Sequence, residues 1–179
     1  MKQIRVLLLM MACVLCMPSC EEPLILEKDG TILLGDKYVE VATEFTEDEV
    51  VDFLTRGPFL VNKTLYLYDD NYMVKIDRSN DDKLFYRFFD NGGWTRSMYT
   101  SANMDKPSTG MIYTIRKKVL TISQTGSFFN PYEAKYEIVG IGDDFIVLDA
   151  NGTDRETLAS HPELDKDKVK IRIVWRLQK

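Results

Sequence analysis

From Phe59 to the end of the chain, apolar and polar residues alternate, and polar, glycine-bearing steps break the alternation about every six to twelve residues. That pattern excludes a helical fold for most of the molecule. It predicts strands near 59–68, 72–77, 83–89, 94–99, 110–115, 118–124, 132–140, 145–149 and 168–177. The steps between them, such as Asp69-Asp70-Asn71, Asp90-Asn91-Gly92-Gly93 and Gly142-Asp143-Asp144, suit short hairpin turns. Arg116-Lys117-Lys118 sits between two strand-like runs and reads as another. Alternation also assigns faces. Tyr132, Ala134, Tyr136 and Ile138 should point inward, as should Val169, Ile171, Ile173, Trp175 and Leu177, leaving Lys170, Arg172 and Arg176 to water. Such half-buried strands favour an antiparallel sheet with one wet face. The exception is Leu84 to Phe89, where Leu84, Tyr86 and Phe88 fill one face and Phe85 and Phe89 the other. Something must cover that second face, with the one helix as the economical cover and an exposed binding patch as the alternative.

The helix is predicted over 46–56. Thr46 and Glu49 form a capping box, Phe45 and Val50 a hydrophobic staple, and Val50, Val51 and Leu54 share a face with Phe53 beside it. Gly57 and Pro58 should end it, glycine by adopting a left-handed conformation. Eight or nine antiparallel strands behind one helix predict an all-β fold, an up-and-down barrel, since closure removes exposed strand edges. A two-sheet β-sandwich is the alternative, because periodicity fixes strand faces but not how a sheet closes.

Ahead of this domain lies a basic start (Lys2, Arg5), an apolar run from Val6 to Met17, and Cys20 followed by Glu21 and Glu22. The run is short for a membrane-spanning helix and fits the apolar region of a secretory signal. Met17-Pro18-Ser19-Cys20 resembles a bacterial lipoprotein box, which implies cleavage before Cys20 and acylation of its thiol; Met10-Met11-Ala12-Cys13 is a second candidate box, and Cys16 a third position. The organisation expected is a signal peptide over 1–19, a lipid anchor, tether and short strands over 20–44, with strands at Thr31–Leu34 and Lys37–Ala42, and a helix plus barrel domain over 45–179. Cleavage would take Lys2 and Arg5 away and move the net charge from −5 to −7, with no cysteine left to form a disulfide. An acidic chain whose only Lys/Arg cluster is the turn Arg116-Lys117-Lys118 is a poor nucleic-acid binder.

Residues 45–179 resemble the small lipocalin-like lipoproteins of Bacteroidota outer envelopes. The likeness rests on the capped helix leading into Gly57-Pro58-Phe59, the hairpin Gly110-x-x-Tyr113-x-Ile115-x-x-x-x-Leu120-x-Ile122, then Tyr136-x-Ile138 and Phe145-Ile146-Val147-Leu148. Lipocalins carry Gly-x-Trp at the start of the first barrel strand, and Gly57-Pro58-Phe59 is similar with Phe in place of Trp. The resemblance implies a lipocalin-like barrel lipid-anchored at the outer membrane, facing the periplasm or the cell surface.

No catalytic set stands out. His161 is the only histidine, and Gly-x-Ser-x-Gly, paired metal-binding histidines and a phosphate-cradling glycine loop are all missing from the sequence. Most aspartates fall in turns, and Asp149-Ala150-Asn151-Gly152-Thr153-Asp154 has the wrong spacing for a calcium loop. No cofactor or metal is expected. Aromatics are the better lead. Tyr66, Tyr68, Tyr86, Phe88, Tyr113, Tyr136 and Trp175 can line a barrel interior, which with eight strands is either filled by side chains or just holds one small ligand. Phe128 and Phe129, beside Asn130-Pro131, fall outside the alternation and suit either a plug over the barrel mouth or a contact with a partner or glycan. The expectation is a non-enzymatic, lipid-anchored binding module for a small apolar or glycan-derived ligand, with Tyr66, Tyr68, Tyr86, Tyr113, Phe128 and Phe129 as candidate contacts and Cys20 as the anchor. The alternative is an accessory or structural subunit of an outer-membrane protein assembly, docked through Phe128, Phe129 or the back of strand 84–89. A hydrolase using rim carboxylates is a third class.

Overall fold

The computed structural model describes residues 23–77, 83–125, 131–150 and 160–178. Residues 1–22, with Cys20 and the expected signal segment, Phe128, Phe129 and the stretch 151–159 lie outside the described residues. Three short strands come first: β1 (Glu27–Lys28), β2 (Thr31–Leu34) and β3 (Lys37–Glu40), an antiparallel sheet of its own. Helix α1 (Glu47–Thr55) follows, then β4 (Phe59–Tyr68), β5 (Met73–Asp77), β6 (Leu84–Phe88), β7 (Trp94–Met98), β8 (Met111–Arg116), β9 (Val119–Gln124), β10 (Tyr132–Ile141), β11 (Phe145–Ala150) and β12 (Lys170–Leu177).

The long sheet runs β7-β6-β4-β12-β11-β10-β9-β8, with β5 paired to β4. β5 and β6 both run antiparallel to β4, β5 along Thr64–Tyr68 and β6 along Phe59–Leu60, so the two fill one stave of the wall between them. The free edges of β7 and β8 meet at the Gly93–Ile112 bridge, where the Tyr113 N–H donates to the Gly92 carbonyl at 2.8 Å. The result is a nearly closed, eight-stave, lipocalin-like antiparallel barrel, and the continuous ring removes the sandwich alternative. Irregularities in register fall between Ile138 and Gly140 and between Val174 and Arg176. Bulges of this kind bend and twist the strands, which closure requires.

The helix forms where the sequence sets it. The Thr46 hydroxyl accepts from the Glu49 N–H, and the Glu49 carboxylate accepts from the Thr46 N–H at 2.7 Å. Its Val50, Phe53 and Leu54 are buried in the same cluster as Phe59 and Phe88, so the helix closes one end of the barrel. Gly57 does not take the expected left-handed conformation. The last turn closes by an Arg56 N–H to Phe53 carbonyl bond, and the chain enters β4 at once. Gly57 is needed for space instead: a Cβ there would lie 3.2 Å from Leu177 Cδ1.

Two further expectations change. Phe85, on the second face of β6, is covered by Leu60 and by Met104 of the β7–β8 connection rather than by the helix. Arg172 does not face water. It is 1 % exposed, because β1–β3 lie across the outer face of β11, β12 and β4 and bury Ile32 and Leu34 against Tyr66, Val147 and Val174. Gly140 permits this second layer to close up against the wall: a Cβ there would lie 2.6 Å from Val41 Cγ2, just where Ala42 and Ile141 bridge.

Candidate functional site

The helix half of the barrel interior is a packed aromatic core, while inward positions toward the other rim, such as Leu65, Val74, Ile76, Ala134 and Ile173, stay partly exposed. Phe88 lies at the centre of that core, stacked on Trp175 at 6.0 Å between ring centroids and edge-on to Tyr113 at 5.1 Å. Tyr86 meets Trp94 and Trp175, Tyr136 meets Trp175, and Phe59 links this group to Phe53 of the helix. Phe59, Trp94, Leu120, Ile122, Ile146 and Leu148 show 0 % exposure. A side chain lining a void large enough for water would retain some accessible surface, so these residues enclose no ligand-sized space.

The structure therefore divides the sequence-predicted residues. Tyr86 and Tyr113 are inside, Tyr113 donating its hydroxyl to the Phe89 carbonyl at 2.9 Å. Burial pushes the Tyr86 hydroxyl up to about 12 and raises those of Tyr113 and Tyr136 as well. Tyr66 and Tyr68 are not inside. Their positions on β4 point to the outer face, since Phe59 and Val61 of the opposite parity point in, and both tyrosines are buried there in the contact with the N-terminal sheet. Tyr68 donates to Asp149 Oδ2 at 2.7 Å, and that carboxylate receives two bonds from Arg172, Nε to Oδ1 at 2.9 Å and Nη2 to Oδ2 at 3.0 Å. Arg172 also donates to the Leu33 carbonyl and lies 5.2 Å from the Tyr68 ring. Burial and the neighbouring Asp149 charge raise the Tyr68 hydroxyl above its ordinary range. Burial opposes the charge of Arg172, but the bonds to Asp149 and its charge together outweigh that effect. Asp149, the described start of the stretch considered as a calcium loop, is thus committed to a structural ion pair. Among the described residues no three His, Cys, Asp or Glu side chains converge to hold a metal.

A concave surface also lies outside the barrel. A cleft of about 840 Å³ opens at the helix end, between α1, the far end of the β2–β3 hairpin and the β10–β11 turn. Its rings come from Phe45, Phe53 and Phe145, and its charges from Asp29, Glu40, Glu44, Glu49, Asp143, Asp144 and Arg56. The walls are held firmly. The floor is the Ala42–Ile141 pair, bonded in both directions at 2.8 and 3.0 Å. The β8–β9 turn buttresses the other side: Lys117 and Lys118 both adopt left-handed φ, a costly conformation for residues with a Cβ. The Lys117 N–H bonds Glu47, while the Lys118 ammonium bonds the Thr43 carbonyl at 2.8 Å and lies over the Phe45 ring. The arginines are also placed: Arg56 lies 5.0 Å over Phe53 and Arg176 lies 5.5 Å over Phe145. The Thr46 bonds, backbone first, hold the Glu49 carboxyl below its ordinary range, so it is an acceptor at neutral pH.

Sequence reasoning missed this cleft because much of it is built from residues 29–44, where short strands were expected but not their position against the barrel. The signal was the run Ile32-Leu33-Leu34, apolar on both faces, together with Val147 and Val174 at outward positions of the barrel. No family model matches the chain, and neither a curated protein nor a solved structure matches it.

Proposed function

We propose that this chain is a non-enzymatic, lipid-anchored binding module of the bacterial outer membrane, tethered through Cys20, that holds a glycan-derived ligand in the cleft between α1, the β2–β3 hairpin and the β10–β11 turn. The observation that carries the reading is the composition of that cleft: two partly exposed phenylalanine rings, Phe45 and Phe145, beside six carboxylates and one guanidinium. Ring faces pack the C–H surfaces of a sugar, carboxylates accept its hydroxyl protons, and Arg56 donates to its oxygens. The excess of carboxylates repels anions, which selects neutral or amino sugars over phosphorylated or acidic ones. The helix half of the barrel interior is filled by side chains, which leaves an apolar ligand no room there. The export segment, the Cys20 box and the resemblance to Bacteroidota envelope lipoproteins support the location. Of the surfaces an assembly subunit would dock through, Phe128 and Phe129 lie outside the described residues, and the back of β6 has little surface to use, because Leu60 and Met104 cover Phe85.

The test is thermal unfolding of the unacylated Cys20→Ala protein with panels of neutral, amino and acidic glycans. A native-state ligand at about a hundred times its Kd stabilises by about 2.7 kcal/mol and raises Tm measurably. Neutral or amino sugars should do so, and Phe45→Ala or Arg56→Ala should abolish the shift. A shift with acidic glycans only, or with none of the three classes, would sink the reading.

A further inference from the structure

Exposed large apolar side chains are distributed unevenly. In an up-and-down barrel the ends of β4 and β7 and the start of β10 lie at one rim, opposite the helix. At this rim stand Tyr72 in the β4–β5 turn, Met98 and Tyr99 at the end of β7, and Tyr132 at the start of β10. Ile25 joins them, because the neighbouring Leu24 N–H donates to the Asp70 carbonyl in that same turn at 2.8 Å. Met98 is 57 % and Tyr99 65 % exposed. Of the two other exposed large apolar residues among those described, Tyr38 bonds the Ile25 carbonyl and Ile112 is the second residue of β8, which starts at this rim. The helix end presents none among the described residues.

The chain leaves the domain at this rim. Only Glu21, Glu22 and Pro23 separate Cys20 from Leu24, and four residues at full extension span at most about 14 Å. We infer that this rim is a membrane-contact surface: Ile25, Tyr72, Met98 and Tyr99 rest in the interfacial layer of the bilayer that holds the lipid on Cys20. The inference rests on the lipid-anchor part of the proposed function. Tyrosine suits this layer because its ring is apolar and its hydroxyl stays wet. Among the described residues the charged groups nearby, Asp70, Lys83, Asp165, Lys166, Asp167 and Lys168, are of mixed sign, with Asp70 and Lys168 paired at 2.9 Å, so the inferred contact is apolar rather than electrostatic. A ten-residue strand tilted as barrels require is roughly 25 Å tall, which places the cleft about that far from the bilayer, facing away from it.

The test uses the acylated protein in vesicles of phosphatidylethanolamine and phosphatidylglycerol that contain nitroxide-labelled lipid, with one fluorophore at Asn71→Cys on the rim or at Asp48→Cys on the helix. Labelled palmitate reports the anchor separately. The rim label should be quenched, the helix label should not, and high salt should leave both unchanged. Met98→Asp with Tyr99→Asp, at exposed positions, should abolish rim quenching without reducing palmitate incorporation. Equal quenching at the two sites would overturn the orientation, and quenching that survives the double substitution would overturn the apolar contact. Absence of palmitate would end the anchor reading, and this inference with it, by a result distinct from either.

Discussion

The wall formed by β11, β12 and β4 is buried on both faces, and the two faces are built on different principles. The inner face presents Phe59, Ile146, Leu148 and Trp175 to an aromatic core held chiefly by shape and area. The outer face presents Tyr66, Val147 and Val174 to the N-terminal sheet, but places among them the Arg172–Asp149–Tyr68 group with its bond to the Leu33 carbonyl. A closed barrel already fixes its own register through continuous strand pairing. The three-stranded sheet on the outside is joined to the barrel backbone just beyond its ends, at the Ala42–Ile141 pair and the Leu24–Asp70 bond, and between these points a buried bidentate ion pair supplies direction where apolar contact would permit sliding. The inner face therefore carries the stability of the barrel, and the outer face determines where the second layer sits and with it one wall of the cleft.

The comparison is broken most severely from the inside. Trp175 touches Tyr86, Phe88 and Tyr136 and is 1 % exposed. Trp175→Ala should destabilise the whole domain by about 3–5 kcal/mol, through lost transfer energy and the void left behind. Denaturant unfolding checks this, and the loss should appear as one cooperative transition, with β2 and β12 amides losing protection together.

The outer face should respond differently. Arg172→Ala removes the cation but leaves Asp149 partly buried and Tyr68 without its charged neighbour, and should cost about 3 kcal/mol, at the lower end of the range for breaking a buried pair. Replacing both partners by apolar residues, Arg172→Met with Asp149→Leu, should recover most of that stability. It should not recover the placement of the sheet. Hydrogen exchange should then show β2 and β3 amides exposed while β8–β11 stay protected, and loss of protection throughout the barrel would show that the ion pair supports the core as well.

Legibility in the sequence follows the same division. The barrel was readable because each stave obeys a two-residue period, and the observed strands fall within two residues of their expected limits. The helix start was readable from Thr46 and Glu49, whose bonds are local. Features that depend on which elements meet were not. Arg172 sits at a position of β12 that alternation assigns to water, and only the arrival of β2 from 139 residues away buries it. Tyr66 and Tyr68 were expected inside on aromatic character, yet their parity relative to Phe59 places them outside. The cleft is still harder to read, since its carboxylates come from three separate segments and each alone looks like an ordinary solvated turn.

The smallest effect, and the one that separates the two faces by chemistry rather than by packing, lies at high pH. Tyr86 belongs to the inner face, and burial raises its hydroxyl to about 12 from an ordinary value near 10. The sign follows from proton binding: between these values the unfolded tyrosine has lost its proton while the folded one retains it, so stability falls as pH rises. The contribution is fully present below pH 10 and on the order of 2–3 kcal/mol is lost by about pH 12. Tyr68 on the outer face is raised too, but there the Asp149 charge adds to burial, so its share of the loss depends on that carboxylate. Tyr86→Phe should flatten part of the alkaline slope with or without the outer ion pair. Tyr68→Phe should flatten it less once Asp149 is replaced by Asn. Equal effects of Tyr68→Phe in both backgrounds, measured by denaturant unfolding from pH 8 upward, would show that burial alone governs the outer tyrosine and that the two faces are electrostatically alike.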